Sequence, residues 1–114
     1  MAITSTLTTS FKVELLTATH NFTNSSGNSF KLALYTSSAT LGATTTAFTT
    51  TGQASGTNYS SGGSALVNVT PSSTGTTAVT DFNDLTFSTA TITARGCMIY
   101  NDTNGDKSVA TIDF

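Results

Sequence analysis

The sequence predicts a mainly β domain, either an antiparallel β-sandwich or a β-barrel-like fold, with one short N-terminal helix. Three observations predict this class. Thr and Ser supply 27 and 15 of the 114 residues, and the β-branched side chain of Thr suits a pleated surface. Short apolar segments alternate with turns rich in Gly, Ser and Asn. Only one segment, close to the N-terminus, has apolar residues at helical spacing.

The chain divides into an N-terminal arm, residues 1–9, and a single β-rich domain, residues 10–114. The arm is small and polar, which is compatible with a free arm or an edge strand. A helix is predicted at residues 10–20, where Ser10 can cap the first turn. The helical stripe consists of Phe11, Leu15, Ala18 and Phe22. A strand remains the alternative there, because Phe11, Val13 and Leu15 also alternate.

Several short strands are predicted after a loop at residues 21–29, each rich in apolar or β-branched residues. They are residues 30–35, 43–50, 65–69, 77–82, 85–87, 90–93, 97–100 and 109–114. Pro71 closes the strand at 65–69. The strand at 97–100 has so little polar content that we expect it in the centre of a sheet, buried on both faces.

Charge is sparse, and this limits the classes of partner. Only 9% of the residues are charged and the net charge is -2. Nucleic acid binding requires a basic face and contact with a membrane surface requires a polybasic segment, so neither partner is expected. No apolar run approaches the ~20 residues of a membrane span. The first ten residues lack the basic and apolar regions of a signal peptide.

Residues that commonly carry chemistry are few. His20 and Cys97 are the only His and the only Cys, too few ligands for a zinc site, and no motif joins His20 to a Ser and a carboxylate. We expect His20 at a helix end or on the surface, and Cys97 as a small buried hydrophobe. Asp81 and Asp84 are interpreted as turn residues. No enzymatic activity, and no catalytic, cofactor-binding or metal-binding residue, is predicted.

Residues 102–106, DTNGD, match the opening of a calcium-binding loop, with Asp113 at its twelfth position. Lys107, however, occupies the sixth position, where that loop needs Gly, and strands rather than helices are predicted on both sides. A hairpin turn at Asn104-Gly105 accounts for the same residues. We therefore predict a turn here, with a bound cation as the alternative.

Arg95 is the only Arg in the chain and needs an acidic partner. Asp81 or Asp84 can supply it within the domain, or a neighbouring subunit can supply a carboxylate. Residues 51–63 form a long irregular loop in which Tyr59 is the only large anchor, and such loops are usually functional or interfacial. The predicted interface residues are Met1, Ala2, Ile3, Thr4, Tyr59 and Arg95.

Three blocks of sequence carry a family resemblance: LALYTSSATLG at residues 32–42, SGTNYSSGG at 55–63 and ATITARGCMIYN at 90–101. They resemble a family of small, Thr- and Ser-rich virion structural proteins of tailed, often marine, bacteriophages. The resemblance extends from about residue 9 to residue 114. It implies a virion component, and relatives usually carry a small residue at the position of Cys97.

From this resemblance we expect a capsid decoration (cement) protein, made in the bacterial host cytoplasm and located on the capsid surface of the virion. It would bridge and stabilise major capsid protein subunits and contact neighbouring copies of itself as a homo-oligomer. A tail, neck or fibre-associated component is the alternative. A Thr- and Ser-rich surface offers many hydrogen bonds with little charge repulsion, and the arm at residues 1–9 can add as a strand to a capsid edge.

Overall fold

In the computed structural model, which describes residues 2–114, nine strands and one helix form three antiparallel sheets. The elements are β1 (Thr6–Leu7), α1 (Thr9–Leu16), β2 (Phe30–Tyr35), β3 (Gly56–Thr57), β4 (Ser64–Ala65), β5 (Asn68–Thr74), β6 (Thr77–Phe82), β7 (Thr91–Ile92), β8 (Gly96–Asn101) and β9 (Lys107–Asp113). The mainly β class with one short helix is confirmed. Across the described residues no sheet closes on itself, so the barrel alternative is wrong.

The main sheet has five strands in the order β1-β9-β8-β2-β4. Its central strand, β8, pairs along its whole length with β2, from Gly96 opposite Tyr35 to Asn101 opposite Phe30. On its other side β8 pairs with β9. Every β8 residue except the half-buried Ile99 is buried. The prediction of a central strand at 97–100 is therefore confirmed.

Both faces of this sheet are covered, which gives a sandwich-like arrangement of layers. One face carries a cluster in which loop and N-terminal residues cover the strands, namely Ile3, Ala33, Tyr35, Ala39, Leu41, Met98 and Tyr100. The opposite face carries two clusters. The first contains Phe11, Phe22, Phe30 and Val109, and Phe82 of β6 packs on it. The second contains Leu34, Ala54 and Cys97, with Tyr59, Phe87 and Ile92 around them.

The helix differs from its prediction at both ends. It begins at Thr9, directly after a different cap, Thr8, whose side-chain oxygen accepts a hydrogen bond from the Phe11 N–H at 3.3 Å. It ends at Leu16, and Ala18 then takes a positive φ of 60° that a continuing helix does not allow. Phe11 is the only buried residue of the helix, and Leu15 is 47% exposed. The predicted stripe along residues 10–20 is therefore wrong beyond its first member.

Several predicted strands are also corrected. Residues 43–50 and 85–87 form no strand; Ala47 makes a single bridge to Lys107 instead. The predicted strand at 65–69 divides between β4 and β5. Pro71 does not close it, because Pro71 lies inside β5, where the register shifts between Val69 and Ser72. Proline has no N–H to donate, and an irregularity of this kind is where a strand tolerates it.

The turn predicted at residues 102–106 is confirmed, because these residues join β8 to β9. The Asn101 side-chain oxygen accepts hydrogen bonds from the N–H groups of Thr103 and Asn104, both at 3.1 Å. Positive φ values fall on Gly105 (64°) and Asp106 (56°). The left-handed pair is thus displaced by one residue from the expected Asn104-Gly105.

The described residues of the predicted arm are part of the domain. Ile3 and Thr8 are buried, Thr6 and Leu7 pair with β9, and the Thr4 N–H donates to the Leu41 carbonyl at 2.9 Å. The burial of Ile3 and the backbone pairing with β9 and Leu41 therefore hold this segment against the rest of the chain. Of the two possibilities left open for residues 1–9, a free arm or an edge strand, the described part of the segment provides an edge strand of the main sheet.

Replacing Gly63 by Ala is expected to lower the free energy of unfolding by about 2 kcal/mol or more. Gly63 has a φ of 84°, and a Cβ there collides with the backbone of Leu32 and Ala33. Gly75→Ala is the matched control, because Gly75 has a φ of 60° with nothing near the added methyl. Its loss should stay near the conformational cost alone, about 1 kcal/mol. Equal losses in urea denaturation would contradict the close approach at Gly63.

Candidate functional site

Three of the predicted interface residues come together at one place. Ala2, Ile3 and Arg95 line a hollow of about 360 Å³ with Ser37 and Asp113. Their proximity results from the pairing of the N-terminal segment with the edge of the main sheet. The exposed Thr4 lies beside this hollow in the chain, and Met1 lies outside the described residues. The hollow is therefore partly apolar, and the ion pair between Arg95 and Asp113 forms part of its wall.

The partner of Arg95 is Asp113. The Arg95 Nε donates to Asp113 Oδ1 at 2.9 Å, and this hydrogen bond with the adjacent negative charge raises the pKa of the guanidinium. The prediction of Asp81 or Asp84 as the partner within the domain is wrong, because Asp81 and Asp84 are both exposed near the β6 end and pair with no cation in the described residues. The Arg95 side chain remains 58% exposed, so the pair adds little stability.

Tyr59, another predicted interface residue, makes several contacts within its own chain. Its hydroxyl donates to Gln53 Oε1 at 2.8 Å and accepts from the Leu34 N–H at 3.0 Å. Burial raises the pKa of this phenol. Its ring packs on Phe87 with centroids 5.8 Å apart. Tyr59 therefore attaches the 51–63 loop to the main sheet of its own chain.

His20 is buried, which corrects its prediction as a surface residue. Its side chain is fully inaccessible and lies among three Phe rings, the nearest being Phe11 with centroids 5.0 Å apart. Its Nε2 lies 2.8 Å from Glu14 Oε1, and its Nδ1 lies 3.0 Å from Asn101 Nδ2. The short helix makes this possible, because the chain turns at Ala18 and brings His20 back beneath Glu14.

The hydrogen bonds of Asn101 determine which ring nitrogen of His20 carries the proton. The Asn101 Oδ1 already accepts from two backbone N–H groups, so its Nδ2 must be the donor to His20 Nδ1. His20 Nε2–H then donates to the Glu14 carboxylate. Both nitrogens are thus occupied and neither faces a cavity, so the ring is arranged as a structural link between α1 and β8.

Asn101 and Asn28 extend this link into a network of amides. Asn28 Oδ1 accepts from the Asn101 amide at 3.0 Å, the Asn104 amide at 3.2 Å and the Asn21 N–H at 2.8 Å. The Asn104 amide also donates to the Thr19 carbonyl at 2.6 Å. Within the described residues, no buried side-chain polar atom lacks a partner. The network fixes the loop at 21–29 against the β8–β9 turn.

Cys97 lies in β8 and is buried, as predicted. Burial raises the pKa of its thiol from 9.0 to about 11. A thiol acts as a nucleophile in its thiolate form, and burial among apolar groups disfavours that form. The position therefore has the properties of a small core residue.

The most prominent surface feature was not predicted from the sequence. An apolar groove of about 420 Å³ separates α1 from the β5–β6 hairpin. Its walls are Leu7, Phe11, Leu15, Phe22, Pro71, Ala78, Val79, Thr80, Phe82 and Val109. Leu7, Leu15 and Val79 are each more than 40% exposed on its rim. Contiguous exposed apolar surface of this kind commonly marks an interaction site.

The hairpin that forms one wall of the groove projects from the domain. Every residue of β5 after Asn68 is exposed, and so is every residue of β6 before Phe82. β5 and β6 pair only with each other. The sequence did contain one signal of this exposed strand: residues 77–82, TAVTDF, have no Lys or Pro, which often protect an edge, and only one charged residue, Asp81.

Within residues 2–114, no group of three or more His, Cys, Asp or Glu residues is arranged to hold a metal ion. No helix there is long and apolar enough to cross a membrane. Comparison with protein-family models, curated proteins and solved structures finds no match.

Replacing His20 by Phe is expected to lower the free energy of unfolding by about 1–3 kcal/mol. Phe retains an aromatic ring among Phe11, Phe22 and Phe30. It leaves one of the two Asn101 amide N–H groups without an acceptor, while the other still donates to Asn28. Glu14→Gln is the control, because Gln keeps an acceptor oxygen for His20 and removes only charge; it should stay within about 1 kcal/mol of the unmodified chain. If His20→Phe is as stable as the unmodified chain in urea denaturation, the link contributes nothing.

Alkaline pH is expected to destabilise the chain through Cys97. Its folded-state pKa of about 11 lies above the ordinary value of 9.0, so the stabilisation is complete below pH 9 and is lost as pH rises to about 11. The loss amounts to about 2–3 kcal/mol. Cys97→Ala should lose correspondingly less stability over the same range, with Tyr100 contributing at higher pH because burial raises its pKa to about 12. Identical alkaline losses in the two chains would exclude the thiol as the cause.

Proposed function

We propose that this chain is a non-enzymatic structural protein of a tailed-bacteriophage virion, acting as a capsid decoration protein. In this function it binds the outer surface of the shell and bridges neighbouring major capsid subunits. The observation that carries the proposal is the apolar groove beside the projecting β5–β6 hairpin, which provides a protein-binding surface on a chain with little charge.

The low charge of this surface suits a protein that must be packed at high density. Residues 68–80, which include all of β5 and most of β6, contain no charged side chain. Many identical copies can therefore lie close together without the self-repulsion that a highly charged surface produces. Contacts that are individually weak become strong when many are made on one particle.

The blocks that resemble virion proteins lie at the centre of this fold. LALYTSSATLG provides the last four residues of β2 and the buried Ala39 and Leu41. SGTNYSSGG provides Tyr59 and Gly63, which lie against β2, and ATITARGCMIYN provides β7 and β8. Packing thus accounts for why these residue types occur together. The groove supports an assembly role for this fold.

Residues 1–9 were expected to contact the capsid, but another surface is better suited to this contact. Their backbone groups pair with β9 and with Leu41 of the same chain, so a second pairing with a capsid edge would require this segment to detach. The groove and the hairpin require no such rearrangement. We therefore assign the capsid contact to the hairpin side of the domain.

Copy number in purified particles tests the proposal. Quantitative mass spectrometry should find hundreds of copies of the chain per virion, because a decoration protein follows the number of capsid subunits. Six or twelve copies, or a small multiple, would assign the chain to the tail, neck or a fibre instead. Absence from washed particles would contradict a virion role. The major capsid protein in the same sample provides the internal standard.

A further inference from the structure

The two edges of the β5–β6 hairpin differ in how they are protected. On β5, Asn24 donates from its side chain to the Asn68 carbonyl at 2.6 Å and from its backbone to the Thr70 hydroxyl at 3.0 Å. Pro71 and a register shift interrupt the rest of that strand. Loop cover, Pro and irregular register are all means by which proteins block unwanted strand pairing.

The free edge of β6 has none of these protections. Residues 77–81 contain no Lys or Pro, and their one charged residue, Asp81, stands at the end of the segment. Their pairing with β5 from Thr77 to Val79 is regular. No other strand or loop backbone pairs with this edge in the described residues. Only at its end is a donor already used, where the Phe82 N–H donates to Asp81 Oδ1 at 2.7 Å. An unprotected edge beside an apolar groove is suited to accept another strand.

We propose that β6 pairs antiparallel with β6 of a second copy of this chain, about a two-fold axis that places Val79 opposite Val79. A two-fold contact uses one patch twice, so the same edge serves both molecules. The two hairpins then form one four-stranded sheet. Ala78 lies opposite Thr80 of the other copy, on the side where each groove opens, and the apolar rims of the two grooves are brought towards each other.

Charge and hydrogen bonding favour the register with Val79 at the axis over the register with Thr80 at the axis. With Val79 at the axis, Asp81 lies opposite Thr77, and the two Asp81 residues are four positions apart, about 14 Å along the strands. That exceeds the Debye length of about 8 Å at physiological ionic strength, so their repulsion is screened. With Thr80 at the axis, Asp81 would lie opposite Val79 and the pairing would extend to Phe82, whose N–H is already engaged.

The size of the contact predicts weak association. Five paired residues extend about 17 Å, and with the groove rims they cover less than the roughly 800 Å² per partner of a standard stable interface. We expect an apparent dissociation constant between about 10 µM and 1 mM. The inference adds a self-contact to the proposed function. It is tested on the purified chain, so its failure leaves the copy-number test of the virion role unaffected.

Sedimentation velocity over a concentration series tests the contact with a matched pair of variants. Val79 and Val69 are 43% and 41% exposed and lie on the two strands of the same hairpin. Val79→Lys places a charge at the axis and should weaken association at least tenfold. Val69→Lys places the same charge on the protected strand and should associate like the unmodified chain. Circular dichroism confirms that both variants remain folded.

Cross-linking tests the register. Val79→Cys places two thiols directly opposite each other, with Cβ atoms about 4.5–5.5 Å apart, so mild oxidation should produce a covalent dimer. Val69→Cys and the unmodified chain, whose Cys97 is buried, should remain monomeric. A monomer throughout the concentration range, equal effects of the two Lys variants, or equal cross-linking at positions 69 and 79 would each overturn the proposal. So would a β6 edge that binds only a different virion protein.

Discussion

The pairing of β8 with both β2 and β9 is the interaction on which the other layers depend. Through Met98 and Tyr100 this strand contributes to the core on one face of the sheet, and through Cys97 it contributes to the core on the other. Its last residue, Asn101, begins the amide network. Because no disulfide closes the described chain and charge is sparse, backbone pairing and packing around this strand carry most of the stability.

The amide network of Asn28, Asn101 and Asn104 joins the 21–29 loop to the β8–β9 turn. Residues 21–29 form the loop that precedes β2, and only Phe22 among them is buried. Asn28 accepts from the Asn21 N–H of this loop, and Asn101 accepts from two N–H groups of the β8–β9 turn. The Asn101 amide also donates to Asn28, which joins the loop to the turn, because an amide can donate and accept at once. His20 joins the same network through its ring nitrogen while its ring packs with Phe residues. One residue therefore belongs to both the apolar cluster and the hydrogen-bonded one.

The elements predicted correctly from the sequence are those in which local pattern and tertiary burial agree. The strands at 30–35, 77–82 and 97–100 combine β-branched or apolar residues with clear turns, and they form as expected. The predicted helix was too long because Leu15, Ala18 and Phe22 fit a helical stripe. In the structure, Phe22 reaches the core from a loop instead. Residues 43–50 have strand-like composition, but the sheet edge offers them only the bridge from Ala47.

The candidate site was harder to predict, because it depends on which surfaces remain uncovered. Sequence pattern placed Arg95 and the N-terminal residues at an interface, and they do lie together. It could not place Asp113 beside Arg95, since that contact follows from the register of β9 on β8. The groove is lined by residues from β1, α1, β5, β6 and β9, so it depends on tertiary packing. No local property of Leu7, Leu15 or Val79 indicates that these side chains meet.

The tip of the β5–β6 hairpin is a suitable position for attaching a label. Gly75 has no heavy atom within 4 Å of the position its Cβ would take, and both neighbouring strand ends are exposed. Loop tips of this kind accept inserted residues with little effect on the core. A short peptide epitope or a dye attached there would be remote from β8 and its amides. The chain could then be labelled while its fold stays intact.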